Sequence, residues 1–289
     1  KEIDVLDYIF SADVYQQAVG RDDAEVRQNT GLEWRHIVFN ASSGPLADKA
    51  VRQAITRACN REAIAASDLA GLPVDAKKTL LGNRFFLPVQ EGYQDNSTSW
   101  GYDVEAAKKL LDGAGWVAGS DGVRAKDGKK LELVMTIPSN APVATNEANL
   151  LQKQLNEVGI KLSVSTVEID KYFPEYINKK NYALTAFTSE KTQYPLSNVG
   201  QYYASTSQSN YTGLSIPEVD QYVAKIGSTP DGAERNKLAN ELDKVLWENV
   251  FSIPIYQRMQ LTAVPKTLRN FGAQGLASFR PESIGYVKS

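Results

Sequence analysis

One stretch restricts the fold more than any other. Leu131–Ile137 (LELVMTI) has the apolar make-up of a strand, and Glu147–Val158 puts Leu151, Leu155 and Val158 on one helical face. Gly159 stops that helix, and IKLSVSTVEI (Ile160–Ile169) alternates as a second strand. A strand, a helix and a strand of this length form a parallel crossover unit, right-handed where it joins strands of one sheet. Tyr182–Phe187 (YALTAF) offers a third strand beyond a helical stretch at Lys171–Asn178. An α/β domain is therefore expected.

Around this unit the chain alternates helices and loops. VRQAITRACNREAIA (Val51–Ala65) places Val51, Ile55, Ala58 and Cys59 at i, i+4, i+7 and i+8, one face of a helix. Cys59 then sits on the apolar stripe, with Arg52, Arg57 and Arg61 free to point away. Burial disfavours the thiolate, so Cys59 reads as a small core residue and not as a nucleophile. Residues 71–102 are loop-like, broken by several Gly and Pro. In YDVEAAKKLLDGAGW, Asp103 is suited to cap a helix with Ala107, Leu110, Leu111 and Ala114 on its apolar face, and Gly115 to end it. Asp127-Gly128 signals a hairpin turn. Helices are expected at Pro217–Ile226 and Ala233–Trp247, then a strand, FSIPIYQRMQLTAV, interrupted at Pro254. Near the start, Glu2–Val5 reads as a strand and Asp13–Val19 as a helix. In EWRHIVFN, Trp34, His36, Val38 and Asn40 alternate with Arg35, Ile37 and Phe39, a strand pattern.

Composition narrows the chemistry. With 32 basic and 34 acidic residues, no general attraction to nucleic acid or anionic membrane is implied. No apolar run is long enough to span a bilayer as a helix. One Cys forbids an internal disulfide and, with one His, leaves too few ligands for a zinc site made of His and Cys. A nucleophile–His mechanism would have to use His36, which reads as structural or as a surface group. No metal, cofactor or catalytic residue is assigned. The chain opens on KEIDVLDYIF, without Met or a basic-then-apolar leader, and looks like an excised piece of a longer protein.

Thr188–Ser215 stands apart, rich in Ser, Thr, Asn, Gln and Tyr and poor in aliphatic residues. It reads either as a solvated loop or as the polar and aromatic lining of a small-molecule site at the C-terminal end of a parallel strand.

Several of these segments, taken in order, resemble one family. VRQAITRACNREAI is similar to the helix that opens the C-terminal lobe of family 5 extracellular solute-binding proteins, the binding components of peptide and nickel ABC importers. YDVEAAKKLLDGAGW, QKQLNEVGIKLSVSTVEIDKYFPEYINKKNYALTAF and IPIYQRMQLTAV resemble later family segments, and KEIDV resembles the element that ends the first lobe. The resemblance implies a type II periplasmic-binding-protein-like α/β lobe, its parallel or mixed sheet flanked by helices, with remnants of the other lobe. Residues 1–40 would end the first lobe, 41–253 form the second, and 254–289 return to the first. The crossings between lobes would lie near Val38–Ala41 and Ile253–Tyr256.

The implied function is capture and not chemistry: two lobes close on a solute by hinge motion and present it to a membrane permease. Peptide is the expected solute; a sugar derivative, a metal chelate or a cell-envelope glycolipid would fit the same fold. The competing classes are a regulatory or cell-envelope interaction protein on this fold, and a glycosidase built on paired carboxylates. In the family's peptide binders a W-x-x-D after the third strand lines the cleft, its aspartate pairing with the peptide ammonium. Here the matching residues are Phe187, Thr188, Ser189 and Glu190, with Phe for Trp and Glu for Asp. Glu190 is the expected ammonium partner, or else forms a solvated pair with Lys191. Phe187 and Thr188 would belong to the cleft, and Tyr256 and Arg258 would reach the ligand from the late strand, Arg258 gripping a carboxylate. The resemblance also implies a monomer acting outside the cytoplasmic membrane, in a periplasm or on a lipid anchor.

Overall fold

The computed structural model describes residues 3–278 and 280–287. The elements that position the site are, in chain order, α1 (Ala12–Val19), β1 (Ala24–Phe39), α2 (Lys49–Ala58), α3 (Arg61–Asp68), α4 (Val104–Gly113), β2 (Glu132–Pro138), α5 (Pro142–Asn156), β3 (Lys161–Val167), β4 (Leu184–Glu190), α6 (Pro217–Ser228), α7 (Gly232–Asn249) and β5 (Ser252–Pro265). One sheet organises them in the order β3-β2-β4-β1-β5. β2 runs parallel to β3 in continuous register from Glu132↔Lys161 to Pro138↔Val167, with α5 as the crossover. β4 joins β2 in parallel at Met135↔Leu184. β1 then runs antiparallel to both β4 and β5, so the sheet is mixed.

The expected crossover unit is present, and its helix starts earlier than its apolar residues suggest. Pro142 opens α5 at a position where a missing N–H costs nothing, about two and a half turns before Leu151, the first buried leucine of the helix. Asp103 caps α4 as expected, accepting from the Ala106 N–H at 2.8 Å. The hairpin turn holds Asp127 and Gly128 at φ 49° and 74°, the paired left-handed geometry that Asp-Gly adopts readily. Pro254 does not break β5. The β1–β5 register slips between Arg35↔Tyr256 and His36↔Pro254, and this irregularity accommodates a residue with no N–H.

One expectation near the N-terminus needs correction. Ile3–Val5 form no strand, and Glu2 lies outside the described residues; instead Leu6 makes an isolated bridge to Ala263. The segment that pairs is β1, sixteen residues long, whose first half binds β5 alone. That outer ribbon carries its own small core of Ile9, Ala18, Leu261 and Ala263. The two strands approach closely where their register slips after Thr30: a Cβ on Gly31 would lie 2.2 Å from the Arg258 carbonyl oxygen.

The main core fills one face of the sheet. Ile37 and Phe39 of β1 pack there with Val51 and Ile55 of α2, Leu111 of α4 and Leu151 and Leu155 of α5. Cys59 belongs to this core at the C-cap of α2. Burial pushes its thiol up to about 12, with Arg61 opposing the shift. A thiol-selective reagent is therefore expected to leave the native protein unlabelled and to modify it stoichiometrically after unfolding; fast native labelling would contradict the burial. The arginines of this region do not point to solvent. Arg52 is buried and donates to the carbonyls of Leu46 and Asn249, and Arg61 donates to those of Leu81 and Pro254 while stacking over Trp247. Guanidiniums supply several donors at once, so they satisfy helix ends and loop carbonyls that a helical-face count cannot anticipate.

Candidate functional site

Alternation along β1 and β4 sorts their residues onto two faces. Arg35 faces Thr188 and Ile37 faces Ala186 on the side covered by α5; Trp34 lies across from Ser189 and His36 across from Phe187 on the other. On this second side a pocket opens at the C-terminal end of β4, about 760 Å³ when the solvent space at its mouth is counted. Trp34, His36 and Val38 form its floor. The chain from Ser189 to Tyr211 supplies much of its wall, including Tyr194, Asn198, Tyr202 and Tyr203. Arg84, Phe85, Phe251 and Ser252 close the far side. Of the two readings of the polar stretch, the structure places it around a cavity.

A buried polar network stands behind the pocket. Asp243 of α7 accepts from Arg84 Nη1 at 3.1 Å and from Asn96 at 2.9 Å, and Arg84 lies 4.3 Å over the Trp247 ring. The Asn83 side chain accepts from the N–H groups of Phe85 and Phe86, fixing the turn that carries Arg84. Lys191 Nζ donates to the Asn83 and Phe86 carbonyls at 3.1 and 3.4 Å. His36 stacks on Trp34 with centroids 4.2 Å apart, and its Nε2 is 2.9 Å from the Ser189 hydroxyl. Burial, reinforced by Arg35, Arg84 and Lys191, holds its pKa well below the usual histidine range, so it stays neutral into acid solution.

The five residues expected from the sequence do not converge. Glu190 lines the pocket and is exposed, so it stands at the rim. Phe187 lies just beneath, edge-on to His36 at 4.7 Å and packed with Tyr172 and Tyr182. Thr188 is on the opposite face, accepting from Arg35 at 3.1 Å. Tyr256 pairs with Arg35 in register, hence shares that opposite face, and is buried. Arg258 holds a carboxylate, but it is Glu33 at 3.0 Å, and its guanidinium covers the Phe10 ring. Tyr256 and Arg258 instead line a smaller cavity with Asp68 and Phe10. The sequence reading missed Trp34, Arg84 and Lys191 at the pocket, and placed His36 outside any site. The alternation of EWRHIVFN does put Trp34 and His36 on one face; no local pattern marks Arg84 or Lys191.

Among the described residues no cluster of His, Cys, Asp and Glu could hold a metal ion, and no helix is long and apolar enough to cross a membrane.

Comparison with known proteins gives a consistent picture. The family model described as bacterial extracellular solute-binding proteins, family 5 Middle, matches residues 1–212. The oligopeptide-binding protein OppA of Mycobacterium tuberculosis (strain ATCC 25618 / H37Rv) is 34% identical over 264 residues, which is 91% of this chain and 44% of OppA. The chain thus spans less than half the length of that relative. Among solved structures, the periplasmic EDTA-binding protein EppA superposes with a TM-score of 0.88 at 24% identity, covering 100% of this chain and 55% of EppA. The oligopeptide-binding protein AppA of Bacillus subtilis, solved with a nonapeptide, gives 0.83 at 21% identity, covering 99% of this chain and 56% of AppA. The mixed α/β sheet flanked by helices is the type II periplasmic-binding-protein architecture these neighbours share. The chain belongs to the family 5 bacterial extracellular solute-binding proteins.

Proposed function

We propose that this chain forms one wall of the solute cleft of an extracytoplasmic binding protein that feeds an ABC importer, and that the solute is a peptide. The observation that carries this reading is the pocket at the end of β4, with tyrosines and small polar groups around it and a carboxylate at its rim. The pairing of β2 with β4 is confined to Met135↔Leu184, and the Ala186 carbonyl beyond it accepts from the Tyr172 hydroxyl at 3.3 Å, so the end of β4 from Thr188 onward would be the part that bonds an extended peptide backbone. Tyrosine side chains tolerate varied peptide side chains because they offer broad apolar faces with a polar tip. Glu190 would hold the peptide ammonium, a charge that needs a partner once removed from water. Capture requires no reacting group, in keeping with a site whose only imidazole is buried and neutral. The OppA relative is named for oligopeptide binding, which supports peptide over the other solutes.

Residues 41–253 would then serve as the lobe, with the flanking segments reaching toward the other half of the cleft. The reading includes a monomer outside the cytoplasmic membrane and a permease as its partner. Native mass spectrometry of the full chain, before and after denaturation, is the test. A ladder of short-peptide masses released on unfolding is the expected result. Absence of any released species, with no thermal shift from a mixed peptide pool, would overturn it. Glu190→Gln is expected to weaken peptide binding about 10- to 100-fold, the range for a charge-assisted hydrogen bond; unchanged affinity by calorimetry would remove Glu190 from the site.

A further inference from the structure

The peptide reading leaves Lys191 without a role, and its surroundings are unusual. The side chain is only 6% exposed, yet it lines the pocket. Its Nζ lies 5.0 Å from the centre of the Trp34 ring, and its hydrogen-bond acceptors, the Asn83 and Phe86 carbonyls, are both neutral. The charged groups around it are otherwise engaged. Asp243 is held by Arg84 and Asn96, and Arg84 also donates to the Ser252 hydroxyl. Glu190, its neighbour in the chain, is exposed at the rim. Among the described residues no ion pair includes Lys191. A buried cation whose own acceptors are neutral, and whose neighbouring Asp243 carboxylate is already shared by Arg84 and Asn96, is costly unless a further anion joins it.

His36 lines the same pocket and stacks on the same Trp34 ring. The His36 Nδ1 is buried and has no protein partner; the tautomer in which the Ser189 hydroxyl donates to Nε2 puts the ring proton on that nitrogen. We propose that Lys191, with His36 and Trp34, seats a carboxylate of the bound peptide. This rests on the peptide reading above and adds the charge the solute must carry. The carboxylate belongs either to the C-terminus or to an acidic side chain, since both present the same group.

Proton linkage accompanies the seat. Burial pushes the Lys191 ammonium down to about 7, Asp243 opposing the fall and Arg84 adding to it. A carboxylate set against Nζ raises it again, so binding draws a proton from solvent above pH 7 and weakens as pH rises. His36 is already neutral there.

The test uses the full chain and three tripeptide pools in calorimetry: free acids made without Asp or Glu, the same pool amidated at the C-terminus, and an amidated pool with one Asp or Glu. One of the two carboxylate-bearing pools is expected to bind at least about tenfold more tightly than the plain amides. Which one does so identifies the source. Lys191→Met should abolish the preference while leaving the free protein no less stable, because Met matches the stem and removes a buried charge. Titrations at pH 8 in two buffers of different ionisation enthalpy should report proton uptake by the wild type, whether or not the variant folds. Equal binding of all three pools, or a preference that survives in Lys191→Met, overturns the seat and leaves the peptide reading standing. Failure of every pool to bind overturns both.

Discussion

Asp243→Ala is expected to destabilise the folded chain by about 3–5 kcal/mol, the usual result of removing one partner from a fully buried ion pair. Both side chains of the Arg84–Asp243 pair have 0% exposure. The carboxylate also accepts from the Arg84 backbone N–H at 3.2 Å and from Asn96 at 2.9 Å. Its loss leaves a fully buried guanidinium without its counter-charge and the Arg84 backbone N–H without its acceptor, while Asn96 keeps Asn240 and the guanidinium keeps Ser252. Pairwise attraction alone would not give this magnitude, since much of it is offset by desolvation in the intact protein. The distinction can be measured. Replacing both partners by apolar residues, Arg84→Met with Asp243→Leu, should recover most of the loss. Urea unfolding reads both variants, and a loss below about 1 kcal/mol for Asp243→Ala would mean that Arg84 finds other acceptors. The change also reaches the pocket: Asp243 is the charge that holds the Lys191 pKa up, so its removal should weaken peptide binding as well.

The parts of the fold visible in the sequence are those set by local periodicity. The 131–169 crossover, the caps at Asp103 and the Asp127-Gly128 turn each depend on residues a few positions apart, and all formed. The length of β1 was not visible, because Glu25, Arg27 and Asn29 are polar on a ribbon that has solvent along much of its surface. The pocket was half visible. The composition of Thr188–Ser215 offered a lining as one of two readings, but the lining's other half comes from residue 34, residue 84 and residue 251, brought together only by the sheet order. Tyr256 and Arg258 show a different limit. Motif resemblance places them in the cleft, and a period of two along β5, read against Arg35, puts them on the far face. Which face a strand residue takes depends on the register with its neighbour, and register is a long-range property.

That far face carries the second large effect. Glu147→Ala is expected to cost about 3–5 kcal/mol at pH 5 and measurably less at pH 8. Arg35 of β1 donates through Nε to Glu147 of α5 at 2.8 Å and through Nη2 to its other oxygen, with side chains 7% and 0% exposed. This bidentate pair ties the crossover helix to the strand shared by the sheet and the outer ribbon. Asp68 sits close by, and burial first, then the Glu147 charge, push its pKa up to about 7. Because this folded value lies above the unfolded one, Asp68 favours folding at low pH, and its contribution is lost as pH rises through about 7. Removing Glu147 deletes one cause of the upward shift and leaves Arg35 to pull Asp68 down. The variant's folded state then binds fewer protons than the wild type between pH 5 and 7, so the gap in stability between them narrows as pH rises. Ionised Asp68 acts as the substitute counter-charge for Arg35. Urea unfolding of both proteins at pH 5 and pH 8 gives the comparison. An equal or larger cost at pH 8 would refute the substitution, and the cost of Glu147→Ala measured in an Asp68→Asn background should show no such pH difference.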